Sequence, residues 1–242
     1  MSSLGVALVT GASKGIGRAI ALRLAKDGFD VGINDIPAAR KGLESLRAQI
    51  TEKGRNSTIA VGDVSMPPNV ENMISTVVKD LGRLDVMVAN AGICRAHLIT
   101  ETEVEEWEKL FAVNARGVFL CYNLINAASD PKFVGEASLG AYSATKFAVR
   151  GLTQAAATEW GRHGITVNAY CPGIIQTDII QDIADGTKML LDDVYTKFGA
   201  QSAVGRNGTV EDVANVVSFL ASKDARLITG QGVAVDGGMQ YS

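Results

Sequence analysis

Thr10-Gly11-Ala12-Ser13-Lys14-Gly15-Ile16-Gly17 is the stretch that decides how this chain folds. It closes an apolar run from Leu4 to Thr10 and opens an amphipathic run from Gly15 to Asp27. A strand that ends in a glycine-rich turn and feeds a helix is the first unit of a nucleotide-binding α/β sheet. The glycines permit a tight turn and close backbone approach to a pyrophosphate, whose charge the helix N-terminus stabilises. The spacing here is Gly-x-x-x-Gly-x-Gly, which departs from the general Gly-x-Gly-x-x-Gly fingerprint. Gly11, Ser13, Lys14, Gly15, Ile16 and Gly17 are the candidate cofactor contacts of the turn.

Beyond this turn, short apolar runs keep alternating with longer amphipathic ones. Strands are expected at Leu4 to Thr10, Asp30 to Asn34, Ser57 to Val61, Leu84 to Ala89, Ile165 to Tyr170 and Gly232 to Val235. Helices are expected at Gly15 to Asp27, Ala38 to Lys53, Pro67 to Leu81, Val104 to Ala128, Ala141 to Arg162 and Val210 to Ala221. Thr209, three residues before Asp212, reads as a capping start for the last helix. Several strands are apolar with little alternation, as parallel strands covered on both faces should be. The sequence therefore predicts one α/β domain over residues 1–242, a doubly wound, Rossmann-like parallel sheet. The least regular stretch, Gln181 to Gly208, carries Met189, Leu190, Leu191, Tyr195 and Phe198, and reads as a helical lid over a substrate pocket.

A chain of 242 residues, 47% apolar with 26 glycines, fits a single large globular α/β unit. Net charge is −3 and Lys and Arg form no stripe, so nucleic acid is not an expected partner. Cys94, Cys121 and Cys171 lie far apart without metal-ligand spacing and read as buried or reduced thiols, and no metal is expected. With no signal-like N-terminus and no apolar run of about 18 residues, the reading is a soluble, cytoplasmic protein without a membrane partner.

The candidate site collects at the carboxyl ends of the predicted strands, where open α/β sheets bind ligands. Asp35, with Ile36 after it, closes strand two, 18 residues beyond Gly17. A carboxylate there accepts hydrogen bonds from an adenosine ribose and repels a 2′-phosphate, favouring NAD(H). Lys14 argues the other way, because a cation in the glycine turn can pair with the 2′-phosphate of NADP(H). Asp63 and Val64 follow strand three and suit an adenine edge, and Asn90, Ala91 and Gly92 follow strand four in a small-residue turn. Tyr142 and Lys146 stand four apart on a predicted helix, so their side chains share a face. At ~4 Å and an effective dielectric of about 20, phenolate and ammonium attract by about 4 kcal/mol, enough to carry a phenol toward neutrality. Such a group exchanges a proton with a carbonyl or hydroxyl oxygen. Trp107, Phe111 and Phe119 read as core, and His97 and His163 show no partner pattern.

Together, Thr10-Gly11 through Gly17, Asp63, Asn90-Ala91-Gly92, Asn114, the Tyr142/Lys146 pair, Pro172-Gly173 with Thr177, and Val235-Asp236-Gly237-Gly238 resemble the short-chain dehydrogenase/reductase family over essentially the whole chain. The stretch from Tyr142 through Cys171-Pro172-Gly173-Ile174-Ile175 and the ending Asp236-Gly237-Gly238-Met239 look most like the diacetyl/acetoin reductases, or butanediol dehydrogenases. Sugar-alcohol dehydrogenases and 3-oxoacyl reductases share most of the same residues. The resemblance implies Tyr142 as proton donor or acceptor, Lys146 as holder of the nicotinamide ribose, and Asn114 as anchor of a water in a proton relay. It also implies that Val113, Pro172, Gly173, Ile175 and Thr177 contact the cofactor, and that the protein is a homo-oligomer, a tetramer or dimer, acting on a small carbonyl or alcohol.

One segment departs from the family pattern. The family has a strand before the Tyr helix that ends in a serine about 13 residues ahead of the Tyr. Here only 27 residues separate Asn114 from Tyr142, short by more than a dozen. Ser129 has the right distance but follows Ile125-Asn126-Ala127-Ala128, which looks like a helix end. Ser138 follows Phe133 to Ala137, a candidate strand remnant, but lies only four residues before Tyr142. Two functions follow: an NAD-dependent reductase of small ketones or diketones, or a degenerate, splice-like relative that keeps the scaffold and has impaired catalysis.

Overall fold

The computed structural model of the protein describes residues 3–124, 127–128 and 139–239. Its main sheet has five parallel strands, β1 (Val6–Val9), β2 (Asp30–Ile33), β3 (Ser57–Ile59), β4 (Val86–Val88) and β5 (Ala127–Ala128), ordered β3-β2-β1-β4-β5. A second parallel pair joins β6 (Ala169–Pro172) to β7 (Gly232–Val235), with Ala169 opposite Gly232 and Pro172 opposite Val235. Helices cover both faces, so the expected doubly wound, Rossmann-like α/β architecture in one domain is what the chain adopts.

The alternation of β1 explains the two layers. Ala7 and Val9 join a core with α1 (Gly15–Asp27), α2 (Arg40–Glu52) and α9 (Val210–Leu220), through residues such as Ile20, Leu46 and Val213. Val6 and Leu8 point the other way, toward Met73 of α3 (Pro67–Leu81), Cys121 of α5 (Gly117–Leu124) and Val149 of α6 (Gly140–Trp160). All four β1 residues are buried, which is why a strand of this sheet reads as a continuous apolar run.

A third apolar cluster lies beyond the strand ends. Ile180 and Ile183 of α7 (Ile179–Thr187) and Val194 of α8 (Leu191–Gln201) pack with Cys94, Ala96, Leu139 and Ile174. Met189, Leu191, Tyr195 and Phe198 lean on it, whereas Leu190 is exposed. So the irregular stretch foreseen from Gln181 to Gly208 holds most of α7, which begins at Ile179, and all of α8, with an apolar underside.

Three expectations change. The helix foreseen from Val104 to Ala128 is α4 (Val104–Phe111), a π-helical turn (Ala112–Arg116) and α5, and it does not include Ala127 and Ala128. Ala127–Ala128 is instead a strand whose residues pair with Met87 and Val88, because the slot beside β4 would otherwise leave its backbone groups unpaired. The strand foreseen at Ile165 to Tyr170 runs from Ala169 to Pro172, its start set by where Gly232 begins the partner strand. Trp107 and Phe119, expected in the core, are 43% and 46% exposed, and Trp107 stacks on Phe111 at 4.5 Å between ring centroids. They lie on the face of α4 and α5 turned away from the sheet. Among the described residues no helix is long and apolar enough to cross a membrane. The three cysteines are unbridged and buried, and burial pushes the Cys121 thiol up to about 12.

The capping start of α9 is present in full. The Asp212 N–H donates to Thr209 Oγ1 at 3.2 Å and the Thr209 N–H donates to Asp212 Oδ2 at 2.8 Å. Hydrogen bonds from the Arg206 guanidinium, backed by the Thr209 N–H, hold the Asp212 carboxyl well below the usual carboxylate range. A carboxyl lowered by folding stabilises the protein above its unfolded value near 4 and loses that contribution as pH falls through the folded value. Asp212→Asn should therefore cost about 1 kcal/mol at neutral pH. In urea titrations the gap from wild type should be constant above about pH 5 and narrow below about pH 4. A gap independent of pH would remove the carboxylate from the account.

Candidate active site

The strand order reverses between β1 and β4, and the crevice outside their carboxyl ends is where an open α/β sheet takes a ligand. Thr10 Oγ1 accepts the backbone N–H groups of Asn90 and Ala91, each at 3.0 Å. The Asn90 amide donates to the carbonyls of Thr10 at 2.9 Å and Gly11 at 3.2 Å, and its oxygen accepts the Tyr170 hydroxyl at 2.9 Å. The ends of β1, β4 and β6 are thereby tied at one residue. Gly17 fits here only without a side chain, since a Cβ would strike the Gly11 carbonyl and the Asn90 amide.

The residues singled out from sequence gather round this junction. Asp35 accepts the Ser13 N–H at 3.1 Å and the Ile36 N–H at 2.8 Å, which sets the end of β2 against the glycine turn. Ile36 is exposed beside it. Asp63 accepts the Ser65 N–H at 2.8 Å, while Val64 is buried where Gly117 opens α5. Gly92 and Ala91 continue β4 toward Asn114, which is buried in the π-helical turn. Asn114 Oδ1 accepts the Ile93 N–H at 2.9 Å, and its amide donates to the Ile93 carbonyl at 2.8 Å and to Thr145 Oγ1 at 3.3 Å. Thr145 in turn donates to the Tyr142 carbonyl at 2.7 Å. The Asn114 side chain is thus committed to protein groups and acts on the turn of α6 that carries Tyr142. Val113, its neighbour, packs against the core under α3 and α6.

Tyr142 and Lys146 share one face of α6, as their spacing requires. The Lys146 ammonium lies 5.2 Å from the Tyr142 ring centroid. Lys146 is buried, and Tyr142 is half-buried against the apolar cluster under α7 and α8. Pro172 ends β6, the Gly173 N–H donates to Val235 at 3.1 Å, and Ile175 bridges to Gly208. Thr177 faces the glycine turn, its Cγ2 3.5 Å from where a Gly15 Cβ would be. Lys14 reaches across to Asp178, with 2.6 Å between Nζ and Oδ2.

Two candidate serines, Ser129 and Ser138, lie outside the described residues, as does the segment Phe133 to Ala137. Ala128, the residue before Ser129, ends β5. His97 has a partner, Glu106, at 3.0 Å on the surface. Thr10, Thr145 and Tyr170 had no role assigned from sequence. Tyr170 reads there only as the end of a strand, and the Asn90 it meets is 80 positions away.

The groove fits a dinucleotide. Among the described residues no side chain caps the N-terminus of α1, so the amides of its first turn are left for an anion, and Gly15 (φ +55) keeps the space toward Thr177 open. A family model described as enoyl-(acyl carrier protein) reductase matches residues 11–240. A short-chain dehydrogenase/reductase of Armillaria gallica is 47% identical over 253 positions, covering 98% of this chain and 96% of the relative. The chain belongs to the short-chain dehydrogenase/reductase family. L-2,3-Butanediol dehydrogenase of Corynebacterium glutamicum is 39% identical over 257 positions, covering 98% of this chain and 99% of that one. The crystal structure of levodione reductase superposes with a TM-score of 0.91 at 29% identity, covering 98% of both chains. As a member of this family the protein is an oxidoreductase that works with NAD(P)(H). Both sequence matches run over more positions than the 242 residues present, in keeping with a shortened chain.

Replacing Asn90 by Ala would leave the Tyr170 hydroxyl and two carbonyls without that partner. It should cost about 2 kcal/mol in urea unfolding, and Tyr170→Phe about 1 kcal/mol. An Asn90→Ala protein as stable as wild type would mean the junction is held elsewhere.

Proposed function

We propose that the protein reduces a small ketone or diketone, or oxidises the matching secondary alcohol, with NAD(H) and with Tyr142 as the proton donor or acceptor. The observation that carries this reading is the Tyr142/Lys146 pair: a buried ammonium beside a phenol, next to a groove shaped for a dinucleotide. When bound, the nicotinamide supplies or accepts the hydride. Tyr142 gives its proton to the carbonyl oxygen, or takes it from the alcohol, and the Lys146 ammonium stabilises the charge left on the phenol oxygen. Asn114 and Thr145 hold the α6 turn that aims Tyr142. The helices after Gln181 serve as a lid whose apolar underside, with Met189, Tyr195 and Phe198, suits a small apolar carbonyl compound. The butanediol dehydrogenase relative supports a diacetyl or acetoin type of substrate. A sugar alcohol or a 3-oxoacyl thioester is the alternative within the same chemistry.

Asp35 supports NAD(H) over NADP(H), since its carboxylate stands where a 2′-phosphate would be repelled. Ser129 is favoured over Ser138 as the hydroxyl that holds the substrate oxygen. It is the next residue after β5 and 13 residues before Tyr142, whereas Ser138 is two residues from the start of α6. On this reading the missing residues belong to the end of the preceding helix and its connection to β5.

With diacetyl and NADH, Tyr142→Phe should lower kcat by at least ~10²-fold. Ser129→Ala should lower it by about 10²-fold, with Ser138→Ala near wild type. The second reading, a scaffold with impaired catalysis, is favoured by the segment between Asn114 and Tyr142, which is short of the family pattern by more than a dozen residues. NADH binding without turnover across a panel of small carbonyl compounds would establish it and sink the first.

We also propose a homo-oligomer. Trp107, Phe119 and Phe147 present aromatic surface on α4, α5 and α6, 43% to 47% exposed, a face suited to a second copy. Sedimentation should give a multiple of 25.4 kDa, and a monomer mass would refute it.

A further inference from the structure

Lys14 is the cation that argues for NADP(H), and the structure commits it elsewhere. Its ammonium is 2.6 Å from Asp178, with both side chains about three-quarters exposed. Asp178 sits on an anchored segment. Ile175 bridges Gly208, the Gly208 N–H donates to Ile174 at 3.0 Å, and the Gln181 N–H donates to the Asp178 carbonyl at 3.0 Å. One turn along α7, Asp182 pairs with Arg95 at 3.1 Å, fixing the same helix to the loop after β4. The two ion pairs tie the start of α7 to the loops after β1 and β4.

Within the turn the directions diverge. The Ser13 N–H points to Asp35, where an adenosine ribose would be held, while the next residue, Lys14, sends its side chain to Asp178. Two nearby arginines are also engaged. Arg18 donates to the carbonyls of Ser13 and Gly42 and to Ser45 Oγ at 3.2 to 3.3 Å, and Arg40 pairs with Glu44 at 3.1 Å.

We propose that Asp178 is a determinant of cofactor choice: by holding Lys14 on the α7 side of the groove it withholds from a 2′-phosphate the one cation of the glycine turn. Asp35 and Asp178 then work together, the first by repelling the phosphate and the second by occupying its counter-charge. The inference rests on the NAD(H) reading above. Asp178 does this at a distance from the reacting atoms, through Lys14, and is a positioning residue.

The test is fluorescence titration of NADH and NADPH, read as the ratio of the NADPH Kd to the NADH Kd. Asp178→Asn should lower that ratio about two- to five-fold, the scale of an exposed ion pair. Asp178→Glu should keep the wild-type ratio. In a Lys14→Ala background, Asp178→Asn should change nothing further. An unchanged ratio in Asp178→Asn, or an equal fall in the Lys14→Ala background, would overturn the proposal. Tighter wild-type binding of NADPH than NADH would overturn the NAD(H) reading instead, and the Asp178 effect would still be read from the shift in the ratio.

Discussion

Three strand ends meet at Asn90, and the site depends on their staying there. The Thr10 hydroxyl accepts two amides from the end of β4, and the Asn90 side chain returns two donors to the end of β1 and an acceptor to β6. Thr10 and Tyr170 are buried, so leaving either without its partner would carry a desolvation cost rather than a lost bond of modest net value. The same constraint sets the glycine turn. The Asn90 amide occupies the space a side chain at Gly17 would need, so α1 can begin close to the sheet with its amides facing the groove. The Rossmann-like crevice is a consequence of this close packing.

The catalytic candidates are fixed at one remove from that junction. The π-helical turn between α4 and α5 brings Asn114 inward, where it behaves as a strand partner to Ile93 and reaches Thr145. A local widening of a helix leaves side chains in positions a regular helix would not give them, which is why such turns recur at functional sites. Tyr142 therefore takes its place from three sources: its own helix, the loop after β4, and the apolar cluster under α7 and α8. Helices α7 and α8 are attached through that cluster and, at the edge of α7, by the ion pairs of Asp178 and Asp182. Apolar burial sets where they rest, and exposed charges tune the edge.

The shortened segment is accommodated at β5. Two alanines take the slot beside β4 in parallel register, the first of them three positions beyond Leu124. The sheet keeps a partner for β4, while β6 pairs with β7 and is tied back through Tyr170 and Asn90. This explains how a family member can lose residues in its middle and still assemble the cofactor side of the fold.

Much of this was legible in the sequence because it rests on local rules. The glycine turn, the ends of α1 and α3, the capping box of α9 and the shared face of Tyr142 and Lys146 follow from residue types at short spacing. The sheet's two-sided burial showed in the apolar runs of its strands. What the sequence could not assign were pairings between distant positions. Ala127 and Ala128 are good helix formers and read as the end of a helix, yet the empty slot beside β4 makes them a strand. Trp107 and Phe119 read as core by type, yet they lie on the side of their helices away from the sheet. Tyr170 to Asn90 and Lys14 to Asp178 join residues 80 and 164 positions apart. Local propensity determined the elements and the family of chemistry. Only the tertiary structure decided which backbone groups needed partners and which charges faced each other, because those depend on where distant strand ends are brought together.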